Sequence, residues 1–235
     1  MNVIYDYYNT YPDLFCFRNG AVALASFPGS ANTCLRQLIE ETTDIYTGSV
    51  FDQELNLTLH KFVNKRIVDD SVIAVKTHCH CDSTLFTKAM LIIRDPFSAL
   101  VAEWNRRHAG QVGHAKQSTF VHNSGGEWAK YVHRSISKWA DFNINWYETF
   151  ANNNSIYIVQ YESLVKNTYH EMKRILNFLN MDVSKSIIDC AMTRKEGLYH
   201  RKKKHNQVKY FDSEMHRKIN REKYKVYLAL NLAEL

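Results

Sequence analysis

Ala21-Val22-Ala23-Leu24-Ala25-Ser26-Phe27-Pro28-Gly29-Ser30-Ala31-Asn32-Thr33-Cys34-Leu35-Arg36-Gln37-Leu38-Ile39-Glu40-Glu41-Thr42 is the stretch whose reading decides the fold. Ala21 to Ala25 form a short apolar run, and Ser-Phe-Pro-Gly stops it, as a turn stops a buried strand. Small and hydroxyl-bearing residues follow from Gly29 to Thr33, and then Leu35, Leu38 and Ile39 recur at helical spacing. The chain therefore runs strand, tight loop, helix. That order aims free backbone N–H groups and the positive end of a helix dipole at one place, which suits a phosphate. Ser30, Asn32 and Thr33 can add side-chain hydrogen bonds. No Lys follows the loop, so it is not the G-x-x-x-x-G-K-[ST] loop of nucleotide triphosphatases. Junctions of this kind are common in α/β proteins, and the generic pattern alone leaves phosphate binding open.

The wording is more specific than the pattern. Ser26 to Arg36 resembles the 5′-phosphosulfate-binding loop of sulfotransferases. Together with Ile45-Tyr46-Thr47-Gly48-Ser49 it is similar to the branch related to WSC-domain-containing sulfotransferases. The resemblance implies 3′-phosphoadenosine 5′-phosphosulfate (PAPS) as sulfuryl donor, held by Pro28, Gly29, Ser30, Ala31, Asn32 and Thr33. It also implies a P-loop-type three-layer α/β sandwich. Two departures stand out. Many cytosolic sulfotransferases carry a Lys where this chain has Gly29, and an adenine-stacking aromatic where it has Cys34. The first departure shifts the expected cationic role to Lys76 or Arg36.

The chain has 235 residues with ordinary globular composition, 45% hydrophobic and 23% charged. No repeat, linker or low-complexity segment breaks it, so one domain is expected over residues 1–235, with a core at about 20–205 and a C-terminal helix at about 212–234. The net charge of +6 is uneven. Arg194 to Lys225 carry 12 Lys and Arg against 4 Asp and Glu, leaving the remainder slightly acidic. A basic tail can meet nucleic acid, lipid or one anionic small molecule; after Asp212 it reads as a solvated helix face, and no nucleic-acid partner is expected. Five cysteines at irregular spacing are no disulfide framework. No 18-residue apolar run and no signal peptide is present, so the chain as given reads as soluble. The resembling branch is usually Golgi-anchored through an N-terminal segment; the expected compartment is the Golgi lumen for an anchored or truncated form and the cytoplasm otherwise. Asn56-Leu57-Thr58 and Asn153-Asn154-Ser155 are glycosylation sequons.

In order along the chain, residues 1–20 read as an aromatic arm packed on the domain, and residues 43–70 as a short helix and a loop. Residues 71–76 form a second buried strand, 89–93 a third and 156–159 a fourth. A helix starts near Pro96 with Phe97, Leu100, Val101 and Trp104 on its core face. A long helix over 125–150 turns Trp128, Trp139, Trp146 and Phe150 inward. Helices follow at about 167–180 and 184–192, a loop at 193–211, and a last helix from about Asp212. Strands alternating with helices imply a mostly parallel sheet with helices on both faces, which binds ligands at the carboxyl ends of its strands.

The polar residues fall at those ends. His78, just past the second strand, can take a proton from a hydroxyl, and Lys76 can neutralise charge. Lys76-Thr77-His78 resembles the sulfotransferase segment whose His is the general base, with His80 or Glu103 as the alternatives in this chain. His78-Cys79-His80-Cys81 also suggests zinc, but strand-like alternation splits the two types across two faces, and no metal is expected. Arg94-Asp95-Pro96 resembles the 3′-phosphate-binding element, with Arg94 forking onto the phosphate. The family pattern has a Ser at the position of Ala102; Ser98, one turn earlier, can substitute. Tyr161 in Tyr161-Glu162-Ser163-Leu164 resembles the Tyr that faces the adenine. Arg194, Lys195 and Gly197 resemble the late basic loop that closes over the nucleotide. The expected activity is sulfuryl transfer to an acceptor hydroxyl, with carbohydrate as the acceptor class. A P-loop small-molecule kinase and a catalytically degenerate nucleotide-binding protein remain as alternatives.

Overall fold

In the computed structural model, the residues described are 21–51, 67–68, 71–81, 84–121, 125–193 and 207–233. Five strands form one sheet: β1 (Ala21–Ser26), β2 (Gly48–Ser49), β3 (Val75–Thr77), β4 (Phe86–Ile93) and β5 (Ile156–Gln160). Their order is β2-β3-β1-β4-β5, and every neighbouring pair is parallel. Seven α-helices stand among the described residues: α1 (Asn32–Thr43), α2 (Pro96–Ala109), α3 (Glu127–Phe150), α4 (Tyr161–Lys166), α5 (Thr168–Phe178), α6 (Lys185–Thr193) and α7 (Ser213–Ala229).

β1 is the middle strand, which explains its near-continuous apolar sequence: a central parallel strand is covered on both faces. Its alternation sorts the two layers. Ala21, Ala23 and Ala25 face a core built with α2, α3 and α7, and Leu24 faces a second core built with α1, α5 and α6. Alanines on the first face leave room for the large side chains of α3, whose Trp128, Trp139 and Trp146 are fully buried. Burial of one such ring stabilises by about 4–6 kcal/mol as an upper estimate from its area. The expected sandwich, mostly parallel with helices on both faces, is the one observed.

Differences from the sequence reading lie in weakly patterned segments. Within 43–70 the structure has the edge strand β2, too short to show periodicity. It is held by Gly48 N–H to Ala74 O at 2.8 Å and Val50 N–H to Lys76 O at 3.0 Å. Gly48 is required there, because a Cβ would stand 2.1 Å from Ile67 O. β3 is shorter than expected: residues 71–74 bend, and Ile73 N–H pairs with Tyr46 O at 3.0 Å. β4 starts three residues earlier than expected, at Phe86. Of the expected α2 face, Leu100, Val101 and Trp104 are buried, while Phe97 is half-buried against Phe211. The C-terminal helix ends at Ala229 rather than near 234. The expected N-terminal arm lies outside the described residues.

α2 is placed by its ends. Pro96 occupies the first turn, where its missing N–H costs nothing, and the Asp95 side chain accepts from Ser98 N–H at 3.2 Å. α1 begins differently. Its N-cap is Ala31, with φ 71°, and no side chain caps it and no acidic residue sits in its first turn. The first N–H groups of α1 are thus left for another partner.

Candidate active site

The carboxyl ends of β1, β3, β4 and β5 are stitched together by side chains. After β1, Ser30 N–H closes a turn on Phe27 O at 3.2 Å. Pro28 and Gly29 fill its centre with Gly29 at φ 86°, the Pro-Gly order of a type II turn. From the end of β3, His78 Nδ1 reaches Ser26 O at 2.7 Å, with Ser26 Oγ at 3.3 Å. From the end of β4, Arg94 Nη1 donates to Gly29 O at 2.9 Å. The Arg94 guanidinium also lies 4.2 Å over the ring of Tyr161, which starts α4 after β5. Glu162 Oε1 accepts from Asp95 N–H at 3.0 Å, joining the β5–α4 and β4–α2 corners. One continuous set of contacts therefore joins the loop, His78, Arg94 and Tyr161.

The residues present fit an anionic ligand. Ser30 Oγ and Arg94 Nε are buried donors with no hydrogen-bond partner among the described residues. Burying such groups unpaired costs about 1–3 kcal/mol each, a penalty that phosphate oxygens would relieve. Ser30 follows Gly29 in the loop that leads into the uncapped start of α1, and Arg94 holds Gly29 O through Nη1. Thr33 is half-buried in the first turn of α1. Asn32 is different: its Nδ2 donates to Leu24 O at 2.9 Å and to Ser26 Oγ at 3.1 Å, so the backbone N–H is its one donor left for an anion, while Oδ1 is a buried acceptor with no partner among the described residues. Ser98 is half-buried in the first turn of α2, its N–H on Asp95. Lys76 is 8% exposed within β3, paired in register with Leu24 and Ser49. Arg194, Lys195 and Gly197 lie outside the described residues.

Several candidates resolve into structural roles. Arg36 is fully buried, with Nε on Thr47 Oγ1 at 2.7 Å and Nη2 on Thr47 O at 3.3 Å. It ties α1 to the approach of β2 and does not replace a loop cation. Glu103 is fully buried, its carboxylate held by Arg106 Nε, Arg106 Nη2 and Arg107 Nε, each at 2.7 Å. Burial, the largest influence, pushes the Glu103 carboxyl up, but the hydrogen bonds and charges of the two arginines outweigh it and hold it below the ordinary 4.5. A carboxylate so engaged is no general base. His80 is exposed. Cys34, at the position where an aromatic was expected, packs half-buried against the core beneath α1. β3 stops at Thr77, so strand alternation does not extend through His78 to Cys81.

Gly29 shows why no Lys stands there. A Cβ would lie 2.3 Å from Ala99 O and 3.0 Å from Glu103 N, with the backbone at positive φ. The loop rests directly on the backbone of α2. The basic C-terminal helix is also more than a solvated face. Lys223 Nζ pairs with Asp95 Oδ2 at 3.2 Å, and Lys218 Nζ donates to His133 O at 2.8 Å. Sequence reasoning missed Ser26, Glu162 and Lys223. Ser26 contributes chiefly a carbonyl, which no residue type announces, and the pairing of Lys223 with Asp95 spans 128 positions.

Fold and site together define an α/β protein with an uncapped strand–loop–helix junction at the middle of a parallel sheet. The family model for the sulfotransferase domain matches residues 24–234, and the chain belongs to that family. It is 37% identical over 210 residues to a WSCD family member of Aedes aegypti, covering 88% of this chain and 65% of the relative. To a WSCD family member of Drosophila melanogaster it is 38% identical over 184 residues, covering 77% of this chain and 57% of the relative. The chain thus spans about two thirds or less of these curated relatives. Mouse sulfotransferase SULT7A1, solved in complex with PAP, superposes with a TM-score of 0.63 at 18% identity, over 91% of this chain and 85% of that one. No helix among the described residues is long and apolar enough to cross a membrane.

Proposed function

We propose that this protein is a PAPS-dependent sulfotransferase acting on a hydroxyl-bearing acceptor, with carbohydrate as the acceptor class. The observation that carries the reading is the meeting of the uncapped loop–helix junction, His78 and Arg94 at the carboxyl ends of β1, β3 and β4. When bound, PAPS supplies the sulfuryl group and departs as adenosine 3′,5′-bisphosphate. Gly29, Ala31, Asn32 and Thr33 would hold its 5′ side through backbone N–H groups, with the Ser30 and Thr33 hydroxyls, and Pro28 would shape the turn. Arg94 and Ser98 would hold the 3′-phosphate and Tyr161 the adenine, and Arg194, Lys195 and Gly197 are the further nucleotide-binding residues that the family resemblance implies. His78 takes the proton of the acceptor hydroxyl, and Lys76 offsets negative charge on the departing phosphate. Positioning and electrostatics supply most of the rate, and no step needs a metal. Membership in the sulfotransferase family supports the donor, and similarity to the WSCD branch underlies the proposed Golgi lumen for an anchored form.

The test has two arms. Thermal unfolding with adenosine 3′,5′-bisphosphate, compared with ATP–magnesium, separates this reading from a kinase, since a ligand of the folded state raises the midpoint. Sulfate transfer from labelled PAPS to a panel of glycan acceptors follows. We expect His78→Asn to lower turnover by about 10²–10⁴-fold, the usual scale of general-base catalysis, with nucleotide affinity nearly kept. Full activity in that variant would remove His78 as the base. Gly29, barred from carrying a cation, favours one second reading, a degenerate nucleotide binder. Nucleotide binding without transfer to any acceptor would support it.

A further inference from the structure

We infer that Asn32 acts through Ser26 as a positioning residue that fixes the tautomer of His78. This rests on the proposed role of His78 as base. Asn32 opens α1 and is 4% exposed. Its amide turns back toward β1, where one nitrogen serves two acceptors, Leu24 O at 2.9 Å and Ser26 Oγ at 3.1 Å. Two acceptors need two hydrogens. An amide nitrogen has them, a hydroxyl has one and a carboxylate has none. This accounts for Asn at a position where backbone N–H alone would serve a phosphate.

Ser26, fully buried, is the next link. Its carbonyl lies 2.7 Å from His78 Nδ1, and its hydroxyl 3.3 Å from the same nitrogen. A carbonyl oxygen can only accept, so Nδ1 carries the proton and the lone pair of the neutral ring falls on Nε2. Free imidazole side chains in water prefer the opposite arrangement, so the protein imposes this one. The Asn32 amide grips both Leu24 and Ser26, and so holds the carbonyl that holds the ring. Because Asn32 is also the first residue of the helix beneath the phosphate loop, the donor loop and the base share one rigid joint.

The tautomer can be read directly, without an acceptor. Long-range ¹H–¹⁵N correlation spectra of the ¹⁵N-labelled full chain distinguish the two neutral forms of each imidazole. The His78 signals are those lost in His78→Asn. We expect wild-type His78 to be dominated by the Nδ1–H form. In Asn32→Ala, and independently in Ser26→Ala, the Ser26 carbonyl remains but loses its anchoring, and the ratio of Nδ1–H to Nε2–H should fall by about twofold, the low end of the worth of one neutral hydrogen bond. Cooperative thermal unfolding establishes that each variant is folded; if Asn32→Ala is not, Ser26→Ala decides alone. A wild-type proton on Nε2, or an unchanged ratio in the folded variants, overturns the inference. The two readings fail separately. Wild-type transfer by His78→Asn would remove the base and leave the tautomer result standing, whereas an unchanged ratio beside an inactive His78→Asn would remove only Asn32.

Discussion

At the scale of single residues, Arg94 joins the loop after β1 to the start of α4. One guanidinium nitrogen holds Gly29 O at 2.9 Å while Nε is buried without a partner among the described residues, so the side chain both braces that loop and offers a donor. Arg94→Ala should therefore weaken adenosine 3′,5′-bisphosphate by about 1.5–3 kcal/mol, and the 3′-dephospho analogue by less but measurably. Calorimetry on both ligands checks this; equal losses would remove Arg94 from the 3′-phosphate. Gly29 yields a second expectation. Installing the Lys of cytosolic relatives should not improve function, because positive φ and the Ala99 carbonyl oppose any side chain. Gly29→Lys should cost about 2–4 kcal/mol of stability in denaturant unfolding. A variant as stable as wild type, with faster transfer, would refute that argument. Ser30, His78 and Arg94 stood out in the sequence as candidates by side-chain type, and the structure gathers them at the carboxyl ends of β1, β3 and β4. What stayed hidden were backbone acceptors, Ser26 O and Gly29 O, which any residue could supply.

At the scale of elements, the sequence marked long segments well and short ones poorly. The tryptophans of α3 recur at helical spacing, and all three are buried where expected. β2 has two residues and no period to read, and its place is set by Ala74, Ile67 and Lys76 from other segments. The α3 tryptophans themselves differ in a testable way. Trp128 Nε1 donates to Tyr210 O, whereas Trp139 Nε1 is buried with no partner among the described residues. Trp128→Phe orphans a buried carbonyl, while Trp139→Phe removes an orphaned donor. Trp128→Phe should be the more destabilising by about 1–3 kcal/mol in urea unfolding. The reverse order would show that Trp139 Nε1 has a partner such as buried water.

At the scale of the whole molecule, acid should act through Glu103. Its folded value lies below 4.5, so on acidification the unfolded chain takes the proton first. The stability it contributes is complete above about 4.5 and is lost as pH falls through the folded value. Glu103→Gln should lower stability at pH 7 by about 1–3 kcal/mol, nearer the lower figure because Arg106 and Arg107 are 42% and 38% exposed. The deficit should shrink as pH falls below about 4.5 and through the folded value, as denaturant midpoints at successive pH values would report. A constant deficit would mean packing rather than charge. The sheet with helices on both faces was readable because β1, β4 and β5 each carry an apolar run followed by a helical period. The docking of α7 was not, since it depends on pairings such as Lys223 with Asp95.

That pairing has a consequence in time. Asp95 and Lys223 are 128 residues apart. At about 5–20 residues per second, a ribosome adds that span in roughly 6–26 seconds. β1, β3 and β4 can associate early in that interval, yet the carboxylate at the head of α2 waits for its cation until nearly the last helix emerges. The head of α2 therefore gains this ion pair among the last contacts of the described domain to form on the ribosome. A nascent chain halted before α7 would carry the loop and His78, with Asp95 held by Glu162 and Ser98 but still without its cation.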